Sequence, residues 1–303
     1  MLNSIRFERT SRQRNDFRQS LWIILVVATT ACGPTRTDRP SENPGADGWE
    51  HFRLGEFELA SRDFQQAAAV PATEAAGLFS LAQTWHLRQP NPDPAQAAAL
   101  YQQVLTRAPH SEYAAWSALA LAWLQAVPPG QPLPAIATVA AGFQEALNRF
   151  PDHPAGHEAF LALQAWQLQG NAPTQWREVL AALDQFLQAH PTTLYASASQ
   201  TLRAHGDRML DEPAHELAAV QLSWELEKAD PLGPQPNPVG AYWRIATISE
   251  FDLGDFTTAR EYYRRLIAEY PAEQRVFLAK QELHRMDEIE AGIRQELAAG
   301  GGR

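Results

Sequence analysis

Prolines 109, 151, 191, 231 and 271 recur at spacings of 42, 40, 40 and 40 residues, and Pro71 stands another 38 upstream. Each of the five closes a similar phrase: Arg107-Ala-Pro, Arg149-Phe-Pro, Ala189-His-Pro, Ala229-Asp-Pro and Glu269-Tyr-Pro. A fixed period of roughly 20–50 residues is the signature of stacked supersecondary units. Such arrays present long binding surfaces far more often than catalytic clefts.

Counting back from each proline gives a register. Twelve residues upstream stand Ala97, Val139, Val179, Ala219 and Ala259; eight upstream stand Tyr101, Phe143, Leu183, Ser223 and Tyr263. Five upstream stand Val104, Ala146, Phe186, Leu226 and Leu266, and four upstream Leu105, Leu147, Leu187, Glu227 and Ile267. Offsets of four, three and one put these residues on one helical face. The proline then ends the helix, because it lacks an amide and drives its predecessor out of the α region. A partner helix precedes each one: Leu78-x-x-Leu81-Ala82-x-x-Trp85 and Trp116-x-x-Leu119-Ala120-x-x-Trp123 share one spacing, with a small residue where a second helix approaches.

Two further phrases sharpen the pattern. Leu54-Gly55-x-Phe57-x-x-Ala60-x-x-x-Phe64-x-x-Ala67 is matched by Leu253-Gly254-x-Phe256-x-x-Ala259-x-x-x-Tyr263, which runs on to Pro271. These phrases resemble tetratricopeptide repeats (TPR) over residues 48–271, most clearly in the last repeat and least in the fifth. The period exceeds the family's usual ~34 residues. Gln89–Pro94, Val127–Pro134 and Pro231–Gly240 are the Pro-rich insertions that account for most of the excess. The resemblance implies an all-α, TPR-like helix-pair solenoid of about six pairs, wound as a right-handed superhelix. In that family ligands lie along the face made by the first helix of each repeat, which nominates Arg244, Ile248 and Phe251 for partner binding.

The tail from Ala272 to Ala298 has no partner repeat. Val276, Phe277, Leu283, Met286, Ile289, Ile293 and Leu297 mark one long helix, read as a cap over the last repeat, with 299–303 as a disordered end. Glu290 at a would-be core position argues against an extended coiled coil.

The N-terminal end obeys other rules. Arg6, Arg9, Arg12, Arg14 and Arg18 precede an apolar run from Leu21 to Ala28, and Thr29-Thr30-Ala31 leads into Cys32, the sole cysteine. That run falls short of the ~20 apolar residues a spanning helix needs and suits a cleaved secretory signal over residues 1–31. The junction resembles the lipobox of bacterial lipoproteins, with a small Ala31 before the cysteine but Thr29 where leucine is usual. The resemblance implies lipidation at Cys32. Residues 32–47 would form a tether whose span is on the order of 20 Å. By resemblance to the sorting rule of enterobacterial lipoproteins, Gly33 in place of aspartate after the cysteine implies the outer membrane rather than the inner. One cysteine permits no intrachain disulfide. The formal charge is −10, and beyond the arginine-rich first 31 residues the chain carries −13. An acidic body disfavours nucleic acid and direct adhesion to anionic lipid.

A search for chemistry returns little. There is no glycine-rich phosphate loop and no G-x-S-x-G. His157-Glu158 and His215-Glu216 begin like a zinc-protease motif, but Leu161 and Ala219 stand where its second histidine belongs. Pro154 places His153 before a helix and so separates it from His157; no metal site and no cofactor are expected. Trp85, Trp116, Trp123 and Trp243 fall on repeat-core positions, while Trp49, Trp166, Trp176 and Trp224 are less constrained. Arg260, Arg264 and Arg265 cluster around Tyr262, where pairing with Glu261 and Glu269 is the plain reading.

The expectation is a non-enzymatic, lipid-anchored scaffold on the periplasmic face, with protein or peptide partners in the cell envelope. Lipobox, tether and repeat array together resemble the TPR lipoprotein of the outer-membrane β-barrel assembly machine and the pilotin-type lipoproteins of type IV pili. The alternative is a module that binds cell-wall polysaccharide through exposed tryptophans.

Overall fold

The computed structural model describes residues 43–128, 130–170, 172–229 and 238–300. Cys32, the signal segment, the tether as far as residue 42, the connection at 230–237 and residues 301–303 lie outside them. Among the described residues the protein is all α, with thirteen α-helices and no strand. They are α1 (Pro44–Arg53), α2 (Phe57–Ala68), α3 (Glu74–Leu87), α4 (Pro94–Arg107), α5 (Glu112–Ala126), α6 (Ile136–Arg149) and α7 (Pro154–Gln167). The chain continues through α8 (Pro173–Ala189), α9 (Ala196–Met209), α10 (Pro213–Ala229), α11 (Pro238–Thr247), α12 (Phe256–Glu269) and α13 (Arg275–Gly300). Consecutive helices pack in pairs, as in α1 with α2, α3 with α4, α9 with α10 and α11 with α12. The fold is a TPR-like helix-pair array, gathered into two compact units that divide between Ala114 and Ala115.

Proline sets both ends of these helices. Six of them open on it, at Pro44, Pro94, Pro154, Pro173, Pro213 and Pro238, where the missing amide costs nothing and the fixed φ suits the first turn. Asn43 accepts from the Ala46 amide at 3.4 Å and Asp93 from that of Gln96 at 2.9 Å, satisfying otherwise orphaned donors. The first of these starts corrects the tether boundary: the helix begins at Pro44, so residues 44–47 belong to the folded body.

The stop signals share one geometry. The residue before the proline has φ/ψ of −134°/58° at Ala108, −137°/56° at Phe150, −126°/63° at His190 and −132°/57° at Tyr270. Steric conflict with the proline ring excludes the α conformation there, so four helices end in the same way. Pro71 differs, because α2 ends earlier, with Ala69 still helical at φ −79° and ψ −13°.

The register counted from the prolines is the register of the core. Ala97, Val139 and Ala259 are wholly buried, as are Tyr101, Phe143, Leu183 and Tyr263 one turn on. Val104, Ala146, Phe186 and Leu266, three residues later, are buried too, while Leu147, Leu187 and Ile267 are half-buried at the helix edge. In the fifth repeat the large residue is replaced by Ser223. Its hydroxyl lies 2.8 Å from Thr201 Oγ1 and 3.1 Å from Ser197 Oγ, and Ser197 also reaches Glu227 at 3.3 Å. Hydrogen bonds between small side chains thus join α9 to α10 where other repeats use apolar bulk.

Both Leu-Gly phrases fold alike. Gly55 and Gly254 adopt φ of 76° and 67°, a left-handed conformation that glycine enters without steric cost. Phe57 and Phe256 then open α2 and α12, whose Ala60 and Ala259 are fully buried against the preceding helix. At the C-terminal end, α13 packs on α12 through Ala279 and Met286. Beyond Glu290 every described residue of α13 is exposed. No helix among the described residues is long and apolar enough to cross a membrane.

Candidate partner-binding surface

The last repeat holds the three residues nominated for partner binding, and its first helix is not a plain α-helix. After Thr247 the hydrogen bonding widens into a π-helical turn, Ile248–Asp252, where the Leu253 amide reaches the Ile248 carbonyl at 3.1 Å. A π turn inserts an extra residue and rotates the next side chains relative to the α-helical register. Within the turn Ile248, Ser249 and Glu250 are buried, and Phe251 is 44% exposed.

Ile248 is therefore not available to a partner. It is 3% exposed and packs with Ala204, Ala219, Val220 and Ile245. Arg244 and Phe251 remain reachable, each held by a charged neighbour.

Arg244 meets Glu216 of α10. Its Nε and Nη2 donate to Glu216 Oε1 at 3.3 and 3.0 Å, and Arg208 of α9 donates to the same oxygen at 2.9 Å from Nε and 2.5 Å from Nη2. The Glu216 side chain is 4% exposed, whereas those of Arg244 and Arg208 are 28% and 38% exposed. Two guanidinium groups on one buried carboxylate leave a net positive charge at the junction of three helices. Burial and then the nearby Arg208 pull the Arg244 guanidinium below its ordinary range, while Glu216 opposes them. An incoming carboxylate placed here would gain charge-assisted hydrogen bonds.

Phe251 lies under the guanidinium of Arg285 from α13, 4.7 Å from ring centroid to Cζ. Arg285 also donates to Glu282 at 2.7 Å and to the buried Glu250. An exposed aromatic with a cation over one face is an amphipathic contact of a kind enriched at interfaces.

Arg260 and Arg265 of the cluster are paired, though not with the expected residues alone. Arg260 bridges to Glu290 at 2.7 Å and Asp287 at 2.9 Å, both on α13. Arg265 contacts Glu269 at 3.3 Å and the Tyr242 hydroxyl at 2.5 Å. Glu290, an interruption in the tail's apolar pattern, thus pairs α13 with α12 alongside Asp287.

Among the described residues two tryptophans are buried in the core, and Trp116, Trp123 and Trp243 pack half-buried against it. Trp166 and Trp224 are 6% exposed, and Trp176 donates to the Gly170 carbonyl at 2.8 Å. Trp49 is more open, at 38% exposed, and sits edge-on to Phe52 and Phe64. That leaves little aromatic surface for a stacked sugar. His153 does stand before α7, where Nδ1 accepts from the Ala155 amide at 3.1 Å. His157 is no surface residue: it is 9% exposed, lies 3.0 Å from Thr193 Oγ1 and packs 4.3 Å from the His190 ring.

The fold is a helix-pair repeat array of the tetratricopeptide type. Residues 241–272, which span the Arg244–Phe251 segment, match the tetratricopeptide repeat family model. Among solved structures the chain is similar to PilW, described as a widely conserved type IV pilus biogenesis factor. The TM-score is 0.52 at 16% identity, over 76% of this chain and 94% of that one. At that identity the likeness is one of fold. No curated protein matches the chain in sequence.

Proposed function

We propose that the protein is a lipid-anchored, non-enzymatic scaffold on the periplasmic face of the outer membrane, holding a protein partner of an envelope assembly machine of the type IV pilus kind. The observation that carries this reading is the last repeat. It presents a net cationic junction, Arg208–Glu216–Arg244, and an open Phe251 on a rigid helix-pair frame. Such a surface suits an acidic peptide with an apolar anchor, bound along the groove that a repeat array offers. The fold likeness to PilW supports the choice of machine, and the Cys32 junction supports the anchor.

The experiment is crosslinking in whole cells, then purification of the full chain and identification of the captured protein. A pilus or envelope assembly protein is expected, lost with Arg244→Gln, which leaves Arg208 to pair Glu216, or with Phe251→Ala, each variant still folded by circular dichroism. Capture undiminished by both variants would remove this surface from the reading. Cys32→Ser is expected to release the protein from membranes and to abolish acyl labelling.

A further inference from the structure

The turn between α9 and α10 gathers three side chains of metal-ligand type. The Glu212 amide donates to the Asp207 carbonyl at 2.9 Å, and Asp211 takes a left-handed φ of 61°. The chain therefore reverses sharply, and Glu212 comes back beside the last turn of α9. His215 stands in the first turn of α10, with Nδ1 3.0 Å from Glu212 Oε2. One ligand atom from each of Asp207, Glu212 and His215 lies within 4.8 Å of the other two.

Asp207 is the member that needs explaining. It is 1% exposed, and neither carboxylate oxygen has a hydrogen-bond partner. Arg203 Nε is 3.6 Å from Oδ2, too far for a hydrogen bond, and Arg203 is also paired with Asp184. A buried carboxylate without donors is costly. Arg203 supplies opposite charge but no hydrogen bond, so both carboxylate oxygens keep unused acceptor capacity.

We propose that Asp207, Glu212 and His215 form a binding site for one divalent transition-metal cation, zinc being the best match. Calcium and magnesium require about six or more oxygen ligands, whereas zinc accepts three protein ligands of mixed N and O type with water as the fourth. Zn–N and Zn–O bonds of about 2.0–2.2 Å imply ligand–ligand edges near ~3.4 Å in a tetrahedron. The His215–Glu212 edge of 3.0 Å is already close to that length. Closing the remaining edges takes rotation of Glu212 and His215, whose side chains are 33% and 66% exposed. The ion would take the place of the direct contact between His215 Nδ1 and Glu212 Oε2. Arg177, 3.4 Å from Glu212 Oε1, opposes the cation, but its side chain is 62% exposed and can turn outward. Bound zinc would clamp the α9–α10 turn and neutralise Asp207. This holds whether or not the partner reading is right.

The test is titration of the full chain, stripped of metal in detergent, with zinc chloride, monitored by calorimetry and thermal unfolding. One zinc per chain is expected, with a rise in melting temperature. Glu212→Gln and His215→Ala should each weaken binding by about tenfold or more. Asp207→Asn should abolish the zinc-dependent rise without lowering the metal-free melting temperature. Glu212 and His215 are solvent-facing, so their variants fold and decide the matter alone. Absence of stoichiometric zinc overturns the proposal, as does uptake undiminished in the Glu212→Gln/His215→Ala double variant, which would place the ion elsewhere.

Discussion

Tyr263 donates a 2.8 Å hydrogen bond to Oε2 of Glu250, a carboxylate whose side chain is completely buried. The other oxygen of Glu250 meets Arg285, so this pair joins the π-helical turn, α12 and the capping helix at one point. Removing one partner leaves a buried acceptor short of a donor, which costs about 1–3 kcal/mol. Tyr263→Phe should lower the stability of the C-terminal repeat by that amount in urea unfolding. A variant as stable as the parent would show that Arg285 alone satisfies the carboxylate.

Close approach of two helices makes Gly156 irreplaceable. A Cβ there would lie 1.9 Å from the carbonyl oxygen of Phe150, the residue that ends α6. Backbone must shift to admit it, so Gly156→Ala should destabilise at or above the upper end of the ~1–3 kcal/mol range for overpacking. Gly292 provides the control, since a Cβ there meets nothing within 4 Å. In that exposed helical position Gly292→Ala should stabilise by up to ~1 kcal/mol. Thermal melts of the two variants should move in opposite directions.

His157 makes stability depend on pH. Burial first, then His190, holds its imidazole below the ordinary value of 6.5; Asp152 works the other way and His153 adds to the lowering. Below about pH 6.5 the unfolded chain takes up a proton that the folded chain refuses. Stability present above that pH is therefore lost as pH falls toward the folded-state value, with a slope of at most ~1.4 kcal/mol per pH unit. Urea midpoints from pH 7 to pH 5 should fall less steeply in His157→Asn than in the parent, whatever the variant's absolute stability.

The capping helix should divide into two parts in a truncation series. Met286 is fully buried, and Met286→Ala should cost about 2–5 kcal/mol. Deleting residues 291–303 removes only exposed side chains among those described, together with one surface ion pair, Arg294–Glu290 at 3.1 Å. Surface pairs contribute ~0–1 kcal/mol, so the melting temperature should barely move. A large loss would show that Ile293 and Leu297, 50% and 72% exposed, are covered in solution.

Much of this architecture is legible in sequence because proline and glycine act locally. The ladder predicts the helix stops and the buried positions, and the Leu-Gly phrases predict two turns that share one conformation. The burial of Ile248 comes from packing with Ala204, Ala219 and Val220 of the neighbouring helix pair, contacts that the family's first-helix rule does not reveal. Arg260 invites pairing with neighbours in sequence, whereas its partners Asp287 and Glu290 stand 27 and 30 residues away. The fifth repeat looks degraded because an apolar template is blind to a serine–threonine network. Asp207, Glu212 and His215 fit no spacing rule, since a left-handed residue at Asp211 brings them together. Only the half-formed His215-Glu216 phrase hints at that turn.

The shared backbone at Ala108, Phe150, His190 and Tyr270 has an evolutionary consequence. A chain cut after one such residue and rejoined after the next loses one helix pair, yet presents the same local conformation across the splice. The interval from Phe150 to His190 is 40 residues, so excision of 151–190 would leave Phe150 leading directly into Pro191. Crossovers at these four points leave the helix stop itself undisturbed. A lineage of such proteins can thus change its number of units by recombination at the prolines, with neighbour packing as the remaining selective filter.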